Sequence, residues 1–342
     1  MILFDISSAF HMVVHRMSKE FYQGEKLDLK EYKKEFFRGL LWIIDKHTQQ
    51  FKDFGDPVIC IDEKTTPSWR KDLYPMYKSQ RKKFRDGQAQ FEYSDAFGLF
   101  NEFLDACAKS ACIKCIEVPG AEADDIILVL GEHLAQKGES VMILSPDKDF
   151  IQLQVNPKIK QYSWMTKKMI QAEDKGNMQK WLIDHVCLGD VADAVPRIVD
   201  FQEFKPGVKE YLKSKGIEMT PLEFSSTLYN PDEFEQFGGV FETPRFGASG
   251  LRKLIAKHGS MEALLESNPV MKSNYERNAK LVLTEGIPPE IKEAILLEYQ
   301  EPINCDVEEF AETLGLEIEE LTEFLKKKYI NSGGLGGFFD DW

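Results

Sequence analysis

The residues most able to do chemistry in this sequence are acids that follow short apolar runs. Asp147 and Asp149 form the most compact pair and end the apolar run 141–145. Two residues is the side-chain repeat of an extended strand, so both carboxylates would leave the same edge of the backbone if the chain stays extended there. Two anions held that close repel each other, and a divalent metal ion between them relieves the repulsion. A solvated polar loop after a buried strand explains a single Asp-x-Asp pair equally well.

Further acids occupy the same kind of position. Asp5 ends the apolar run 1–6, and Asp62 ends the run 57–63. A predicted helix starts with three acids, Glu122, Asp124 and Asp125, which is more than the helix dipole favours. Asp190 and Asp193 are three positions apart and would share a face if their segment is helical. The candidate metal ligands are Asp5, Asp62, Glu122, Asp124, Asp125, Asp147, Asp149, Asp190 and Asp193.

Short strands alternating with amphipathic helices must position these acids. The runs 1–6, 57–63, 115–118 and 141–145 are apolar enough for buried strands, and apolar residues at helical spacing lie between them, as at 29–51. Carboxyl ends of parallel strands meet at one edge of an open α/β sheet, where such folds form their sites. A nest of carboxylate oxygens at that edge suits Mg²⁺ or Mn²⁺.

Composition indicates a globular protein with an acid excess. The 342 residues include 43 Lys and Arg against 57 Asp and Glu, a net charge of -14, which argues against nucleic-acid binding unless the bases are concentrated in one place. No apolar run approaches the length of a membrane span, so we expect a cytoplasmic protein. Cys112 and Cys115 lack the second pair or histidine that zinc requires, and we expect the six cysteines to be reduced thiols.

One segment, 64–85, reverses the acidic balance. It contains eight bases and one acid, with four aromatic residues placed among the bases. Cations for phosphates, interleaved with rings that stack on bases, are what single-strand nucleic-acid binding requires. A solvated basic helix face is the alternative. The predicted nucleic-acid contacts in this segment are Trp69, Arg70, Lys71, Tyr77, Lys82, Lys83 and Arg85.

Six motifs, in order along the chain, resemble those of the structure-specific 5′ nucleases, which include flap endonucleases and the 5′-3′ exonuclease domains of bacterial polymerases. They are FDIS, CIDE, LYPMYKSQRKK, PGAEADD, SPDKDF and GDVADAVP. The later stretches 242–265 and 274–299 are similar to the ribonuclease H branch found in T-even bacteriophages. The resemblance implies an α/β fold whose mostly parallel central sheet is flanked by helices, a PIN-like 5′ nuclease core with a helical arch and a C-terminal helical DNA-binding subdomain.

The resemblance also implies a division of the chain. The expected parts are a nuclease core at 1–198 that includes an arch at 64–90, an insert of unknown role at 199–241, a helical subdomain at 242–330 with a helix-hairpin-like duplex-binding element, and a flexible tail at 331–342. Two departures from the family leave duplex binding and any K⁺ site open. The sequence AVPR replaces the usual Asn-x-Pro-Gly at 194–197, and the glycine-rich hairpin is delayed to 246–250.

Position by position, the resemblance implies roles for the candidate residues. A first metal site would take Asp5, Asp62, Glu122 and Asp124, a second would take Asp147, Asp149 and Asp193, and Asp125 and Asp190 would lie near them. Lys78 and Arg81 would be the catalytic cations at the scissile phosphate, with Tyr77 stacking beside them. Arg245, Arg252, Lys253 and Lys257 would hold duplex backbone. The implied function is a 5′ nuclease that uses two Mg²⁺ ions, or Mn²⁺ in their place, to remove flaps, 5′ ends or RNA primers during replication.

The tail carries a further expectation. Leu335, Phe338 and Phe339 resemble the sliding-clamp-binding peptide of replication enzymes, although Ser332 replaces its leading Gln. A frayed acidic tail is the alternative. The implied partners are branched or nicked DNA, RNA–DNA hybrids, a sliding clamp and a single-strand DNA-binding protein, and the chain is expected to be a monomer.

Two other functions fit parts of the sequence. A non-catalytic DNA-junction-binding protein of the same fold would explain the bases, but it gains nothing from acids that repel phosphates. A metal-dependent phosphatase with an Asp-x-Asp nucleophile would need neither the basic aromatic segment nor acids on so many strands.

Overall fold

The computed structural model describes residues 1–22, 27–79, 91–171, 178–199, 203–225, 231–237, 239–241 and 246–321. The chain forms two units. The sheet unit comprises residues 1–66, 85–171 and 288–342, and the helical unit comprises residues 67–84 and 172–287. In the described ranges, no helix is both long and apolar enough to cross a membrane.

A sheet of six strands forms the described centre of the sheet unit. The strands are β1 (Ile2–Asp5), β2 (Pro57–Cys60), β3 (Lys114–Ile116), β4 (Val141–Leu144), β5 (Ile159–Ser163) and β6 (Lys168–Ile170). Their order is β3-β2-β1-β4-β5-β6, and all neighbours are parallel except β5 and β6. The predicted mostly parallel sheet is therefore confirmed. Strands β1, β2 and β4 are buried along their whole length, which explains why their sequences are continuous apolar runs.

Helices fill the connections between strands and form most of the helical unit. The described helices are α1 (Ile6–Phe21), α2 (Lys33–Gln50), α3 (Trp69–Leu73), α4 (Tyr93–Ser110), α5 (Ala123–Gln136), α6 (Met178–Leu188), α7 (Pro206–Ser214), α8 (Pro221–Ser225), α9 (Ala248–His258), α10 (Met261–Ser267), α11 (Pro269–Val282), α12 (Pro289–Gln300) and α13 (Val307–Leu314). Helix α2 buries one apolar face, on which Phe36, Leu40 and Ile44 recur at helical spacing. These connections return the chain so that every parallel strand ends at the same edge.

Two local predictions are wrong in their geometry. The chain does not stay extended after β4, because Lys148–Val155 forms a 3₁₀ helix that begins between Asp147 and Asp149. The segment that holds Asp190 and Asp193 is a turn rather than a helix, closed by an antiparallel bridge between Asp190 and Val195. Both acid pairs are therefore brought together by turn hydrogen bonds instead of by strand or helix periodicity.

The division of the chain differs from the expected boundaries. Residues 288–321 belong to the sheet unit, where α12 contacts α5 and α13 contacts α4, and the segments 67–84 and 172–198 belong to the helical unit. The described part of the expected insert at 199–241 has its own cluster of buried side chains, formed by Val208, Leu212, Phe224 and Phe234. A bridge between Phe204 and Phe241 closes it at the base. The insert is therefore a small folded module.

A disulfide joins Cys112 and Cys305. The two residues meet because Ala111 and Cys305 form an antiparallel bridge, in which the Cys112 amide donates to the Asn304 carbonyl at 3.2 Å. The expectation that all six cysteines are reduced is wrong for this pair. Its members are 193 residues apart, so spacing along the sequence gives no sign of the bond.

Candidate functional site

Asp5 stands at the carboxyl end of β1 and is only 8% exposed. Its side chain accepts hydrogen bonds from the Ser8 amide at 3.3 Å, which caps α1, and from the Ser145 hydroxyl at 2.6 Å. Burial raises the pKa of Asp5, and the charge of Asp62 raises that pKa further, while the bonds from Ser145 and Ser8 oppose the rise. The site therefore holds a carboxylate whose negative charge is costly without a cation.

Asp62 connects the loop after β2 to two helix starts. Its carboxylate accepts the Ser7 hydroxyl at 2.5 Å and the Ala123 amide at 2.9 Å, so it ties the first turns of α1 and α5 together. Like Asp5, it receives hydrogen bonds from neutral donors and forms no ion pair within the described ranges. Each carboxylate oxygen has two lone pairs, so these bonds leave capacity for a metal ion.

The acids at the start of α5 divide into two kinds. Glu122 and Asp125 form a capping box, in which the Glu122 side chain accepts from the Asp125 amide and the Asp125 carboxylate accepts from the Glu122 amide at 2.9 Å. Asp125 is fully buried in this arrangement. The capping box gives two of the three acids a structural role, as expected for a helix N-terminus, and Asp124 stands between them in the sequence.

Acids from three segments act on the Cys60 thiol at the end of β2. Burial raises the pKa of the Cys60 thiol well above its usual range, and the charges of Asp5, Cys115, Asp124 and Asp62 raise it further. Cys60 pairs with Asp5 across the parallel strands β1 and β2. Asp5, Asp62 and Asp124, three of the four acids predicted to share one metal site, therefore lie near enough to Cys60 for their charges to act on its thiol.

Asp147 and Asp149 lie on the turn after β4. The Asp147 carboxylate accepts the Asp149 amide at 2.9 Å, and the Asp147 amide donates to the Ser145 hydroxyl at 3.1 Å. Because Ser145 also donates to Asp5, one hydroxyl links this turn to the end of β1. The strand-end acids of β1 and β4 are therefore held in one hydrogen-bonded network.

Glu63 is an acid next to the candidate ligand Asp62, and the sequence patterns do not single it out. Its carboxylate accepts the amides of Thr65 and Thr66, both at 2.7 Å, the Thr65 hydroxyl, and the Gly120 amide at 3.5 Å. Partial desolvation raises the pKa of Glu63, but these hydrogen bonds outweigh it and lower the pKa to about 2. Glu63 follows Asp62 directly, and it fixes the loop after β2 to the turn that leads to Glu122.

The donor set fits a hard divalent cation. In the described ranges, no three acid, histidine or cysteine side chains stand close enough together to hold an ion as they are. The side chains nevertheless offer only carboxylate and hydroxyl oxygens, and burial leaves the Asp5 charge uncompensated. Such a set suits Mg²⁺ or Mn²⁺ in preference to softer metals.

The helical unit places Asp193 beside Tyr77 and Lys78. The Tyr77 hydroxyl donates to the Asp193 carboxylate at 3.0 Å, and the Lys78 Nζ lies 3.9 Å from the same oxygen. The Lys78 amide also donates to the Asp193 carbonyl at 2.9 Å, with Lys78 in the left-handed region at φ 56°. Asp190 supports the turn by accepting the Ala192 amide at 2.6 Å. A strained backbone that presents a lysine is typical of a functional position.

Gly189 makes this turn possible. Its φ is +65°, and a Cβ at this position would lie 2.3 Å from the Val195 carbonyl oxygen. Only glycine fits so close an approach at a positive φ.

Two predicted nucleic-acid contacts lie in the interior of the helical unit. Arg70 and Tyr77 are each 3% exposed, and the Arg70 Nε donates to the Leu281 carbonyl at 2.8 Å. The Arg70 guanidinium also lies over the Trp69 ring, 4.5 Å from its centroid. These contacts correct the expectation that Arg70 and Tyr77 present their side chains to a nucleic-acid strand, because their polar atoms bond within the unit.

Other predicted contacts are exposed or lie outside the described residues. Lys71, Lys253 and Lys257 are exposed, and Arg252 is exposed but pairs with Asp184 at 2.8 Å. The predicted residues that lie outside the described ranges are Arg81, Lys82, Lys83, Arg85, Arg245, Leu335, Phe338 and Phe339.

Comparison with known proteins gives a consistent picture. Residues 2–181 match a family model described as the 5′-3′ exonuclease, N-terminal resolvase-like domain. The ribonuclease H of Enterobacteria phage T4 is 29% identical over 141 residues, which is 41% of this chain and 46% of that protein. A 5′-3′ exonuclease of Buchnera aphidicola is 30% identical over 164 residues, 47% of this chain and 54% of that protein. The chain thus matches about half the length of these curated relatives.

A solved structure shares the fold. The flap endonuclease of bacteriophage T5, in a pseudo-enzyme-product complex with DNA and metal ions, has a TM-score of 0.54 with this chain at 14% identity. The match covers 88% of this chain and 99% of that chain.

Proposed function

The chain belongs to the 5′-3′ exonuclease family, and from that premise we propose that it is a metal-dependent 5′ nuclease that hydrolyses phosphodiester bonds at 5′ ends or junctions. The observation that carries the proposal is the buried Asp5 beside Asp62, at the ends of two adjacent parallel strands, with neutral hydrogen-bond donors around both. Carboxylates in that setting bind a cation favourably and would otherwise repel a phosphate backbone.

Two groups of carboxylates are the proposed metal holders. Asp5, Asp62, Glu122 and Asp124 would hold one ion, and Asp147 and Asp149 would belong to a second. Bound ions of this kind supply positive charge that stabilises the attacking and leaving oxygens of an in-line displacement. We favour Mg²⁺, with Mn²⁺ able to substitute, because the ligands are all hard oxygens. Asp193 as a further ligand, and Asp125 and Asp190 near the site, stay predictions.

The protein's own cations would handle the substrate. Lys78 is presented by a strained turn and would neutralise charge that develops on the phosphate, together with Arg81. The exposed Lys253 and Lys257 are four residues apart on α9 and would contact duplex phosphates without reading sequence. Flapped, nicked or RNA-primed DNA is the proposed substrate class, in keeping with the names of the relatives. Docking of Leu335, Phe338 and Phe339 on a sliding clamp, and contact with a single-strand DNA-binding protein, are further proposals.

The test is a cleavage assay on 5′-labelled flap, nicked and RNA-primed substrates, with Mg²⁺ and with EDTA. We expect cleavage only with the metal, and product sizes distinguish flap removal from stepwise exonuclease action. Asp147→Asn and Asp149→Asn should each abolish cleavage and leave flap binding in Ca²⁺ largely intact. Asp53→Asn, at an exposed acid that precedes β2, is the matched control.

Two results would contradict the proposal. Cleavage at the wild-type rate by either Asp147→Asn or Asp149→Asn in Mg²⁺ would remove the metal assignment. Tight junction binding by the wild-type chain without any metal-dependent cleavage would instead support the alternative of a non-catalytic DNA-junction-binding protein.

A further inference from the structure

Gln161 is a fully buried amide in the middle of β5. It lies opposite Ile143 of β4 and Ile170 of β6, among strands whose interior positions are otherwise mostly apolar. Burying an amide without hydrogen-bond partners is costly, so the bonds that Gln161 makes should show why it is there.

Both N–H groups of the Gln161 side chain donate hydrogen bonds to the same turn. Its Nε2 donates to the Ser145 carbonyl at 3.0 Å and to the Asp147 carbonyl. Its Oε1 accepts from the Gln154 Nε2 at 3.3 Å, and Gln154 also donates to the Ile170 carbonyl at 3.1 Å. Only a side chain with two N–H groups on one nitrogen can bond both carbonyls in this way.

This turn is the one that carries the acids of the candidate site. Ser145 donates to Asp5 and accepts the Asp147 amide, and Asp147 accepts the Asp149 amide. Gln161 therefore holds, from inside the sheet, the peptide groups on which three carboxylates depend. Carboxylates that bind a metal ion repel one another, so their positions must be fixed by other groups. The peptide groups that Gln161 holds provide that restraint.

We infer that Gln161 is a positioning residue for the turn 145–149, through which it sets the affinity of the site's carboxylates for a divalent ion. The inference rests on the proposed function, because it assumes that these carboxylates bind metal. Gln161 itself touches neither metal nor substrate. Hydrogen-bonding partners behind metal ligands typically change metal affinity or activity by roughly 10- to 100-fold when they are removed.

The test compares Mn²⁺ binding by the metal-free full-length chain and its variants, measured by electron paramagnetic resonance of free Mn²⁺ in the absence of nucleic acid. Gln161→Met keeps the approximate volume but removes both donors, and we expect it to weaken Mn²⁺ binding by roughly 10-fold. Gln154→Met is the matched control, since it leaves both Gln161 bonds to the turn in place, and its Mn²⁺ affinity should stay within about twofold of the wild type.

A second variant and a second readout separate positioning from general damage. Gln161→Glu keeps the side-chain shape and removes the two N–H donors, so it should weaken Mn²⁺ binding as well, with folding checked by thermal unfolding in EDTA. In cleavage assays, the half-saturating Mn²⁺ concentration should rise while the rate at saturating Mn²⁺ recovers. A lower saturating rate with an unchanged half-saturating concentration, or wild-type Mn²⁺ affinity in either folded variant, would overturn the inference.

This inference and the proposed function can fail separately. A wild-type chain that binds Mn²⁺ but cleaves no substrate would refute the nuclease proposal and leave the Gln161 comparison valid. A wild-type chain that cleaves, with Mn²⁺ affinity unchanged in the Gln161 variants, would refute only the role of Gln161.

Discussion

The candidate site acids of the sheet unit and of the helical unit have different partners. In the sheet unit, Asp5 and Asp62 accept hydrogen bonds from hydroxyls and backbone amides, and neither forms an ion pair in the part of the chain that the structure describes. In the helical unit, Asp193 accepts the Tyr77 hydroxyl and lies beside the Lys78 ammonium. Asp5 and Asp62 thus leave negative charge for a bound cation to balance, whereas Asp193 has a cation of its own unit beside it.

Net charge follows the same division. The sheet unit contains 23 Lys and Arg against 38 Asp and Glu, while the helical unit contains 20 against 19. The acid excess of the chain therefore belongs to the sheet unit alone, and the argument that acidity opposes nucleic-acid binding does not apply to the helical unit. A polyanion would be repelled by the sheet unit until metal ions reduced its charge.

The strongest test of this contrast is Asp5→Asn. We expect metal-dependent cleavage to fall by roughly 10³-fold, equivalent to about 4 kcal/mol of lost transition-state stabilisation. The same change should raise the midpoint of thermal unfolding in EDTA at pH 7, because burial and the Asp62 charge raise the pKa of Asp5 and make its ionised form unfavourable in the folded state.

The effect of the Asp5 charge on stability should depend on pH. A carboxyl whose folded pKa is raised destabilises the protein when it is ionised, and the cost disappears as the pH falls through the folded pKa and the group is protonated. The stability gain of Asp5→Asn should therefore shrink as the pH is lowered from 7. A metal-free variant less stable than the wild type at pH 7 would break the contrast, because it would show that the Asp5 charge is already compensated.

Lys78→Met should have the next largest effect, with the opposite sign on stability. It removes the ammonium beside Asp193, a pair whose side chains are only 13% and 14% exposed. We expect a loss of about 1 kcal/mol in the free energy of unfolding, measured by urea denaturation, and a roughly 10²-fold fall in cleavage. Lys209→Met, at an exposed lysine of α7, is the control for stability. A stabilised Lys78 variant would remove the distinction between the units.

The sheet and its acids could be predicted from sequence for a physical reason. Buried parallel strands must be apolar on both faces, so they appear as continuous runs, and an acid that ends such a run needs an explanation beyond packing. This reasoning predicts that Asp5 and Asp62 stand where apolar runs end, and in the structure Asp5 ends β1 and Asp62 follows β2. The local geometry of Asp147 and Asp149 was not, because the Asp147 side chain caps a 3₁₀ helix and ends the strand period at once.

Other features could not be predicted because they depend on contacts between residues far apart in the sequence. Gln161, Glu63 and the Cys112–Cys305 disulfide act through contacts that the fold creates, and residue type alone does not reveal them. A polar residue inside a strand, as Gln161 is, offers the one available signal. Tyr77 shows the opposite error. Its place among basic residues predicts a ring that stacks on nucleic-acid bases, but the ring is buried.

Tyr77→Phe tests the neutral half of the Asp193 contact. It removes only the hydroxyl that donates to Asp193 at 3.0 Å and keeps the buried ring. We expect a loss of about 0.5 kcal/mol in the free energy of unfolding and a roughly fivefold fall in cleavage, both smaller than for Lys78→Met, because one neutral hydrogen bond is lost. An effect on cleavage larger than that of Lys78→Met would show that the hydroxyl, and not the ammonium, is the main support of Asp193.

Glu63→Gln should have the smallest effect on stability of these variants. It tests how far neutral donors stabilise a carboxylate in the sheet unit. The Glu63 carboxylate accepts the Thr65 and Thr66 amides and the Gly120 amide, and an amide side chain is a weaker acceptor for them. We expect a loss of about 0.3 kcal/mol in the free energy of unfolding at neutral pH after allowance for solvent, measured against Glu132→Gln on the exposed face of α5. Because hydrogen bonds hold the pKa of Glu63 at about 2 rather than 4.5, the wild type should keep this advantage above pH 4.5 and lose it as the pH falls towards 2. A difference between wild type and variant that stayed constant down to pH 2 would mean that Glu63 contributes through packing and not through its charge. Stabilisation of a carboxylate by neutral donors at this edge of the sheet would then rest on Asp5 and Asp62 alone.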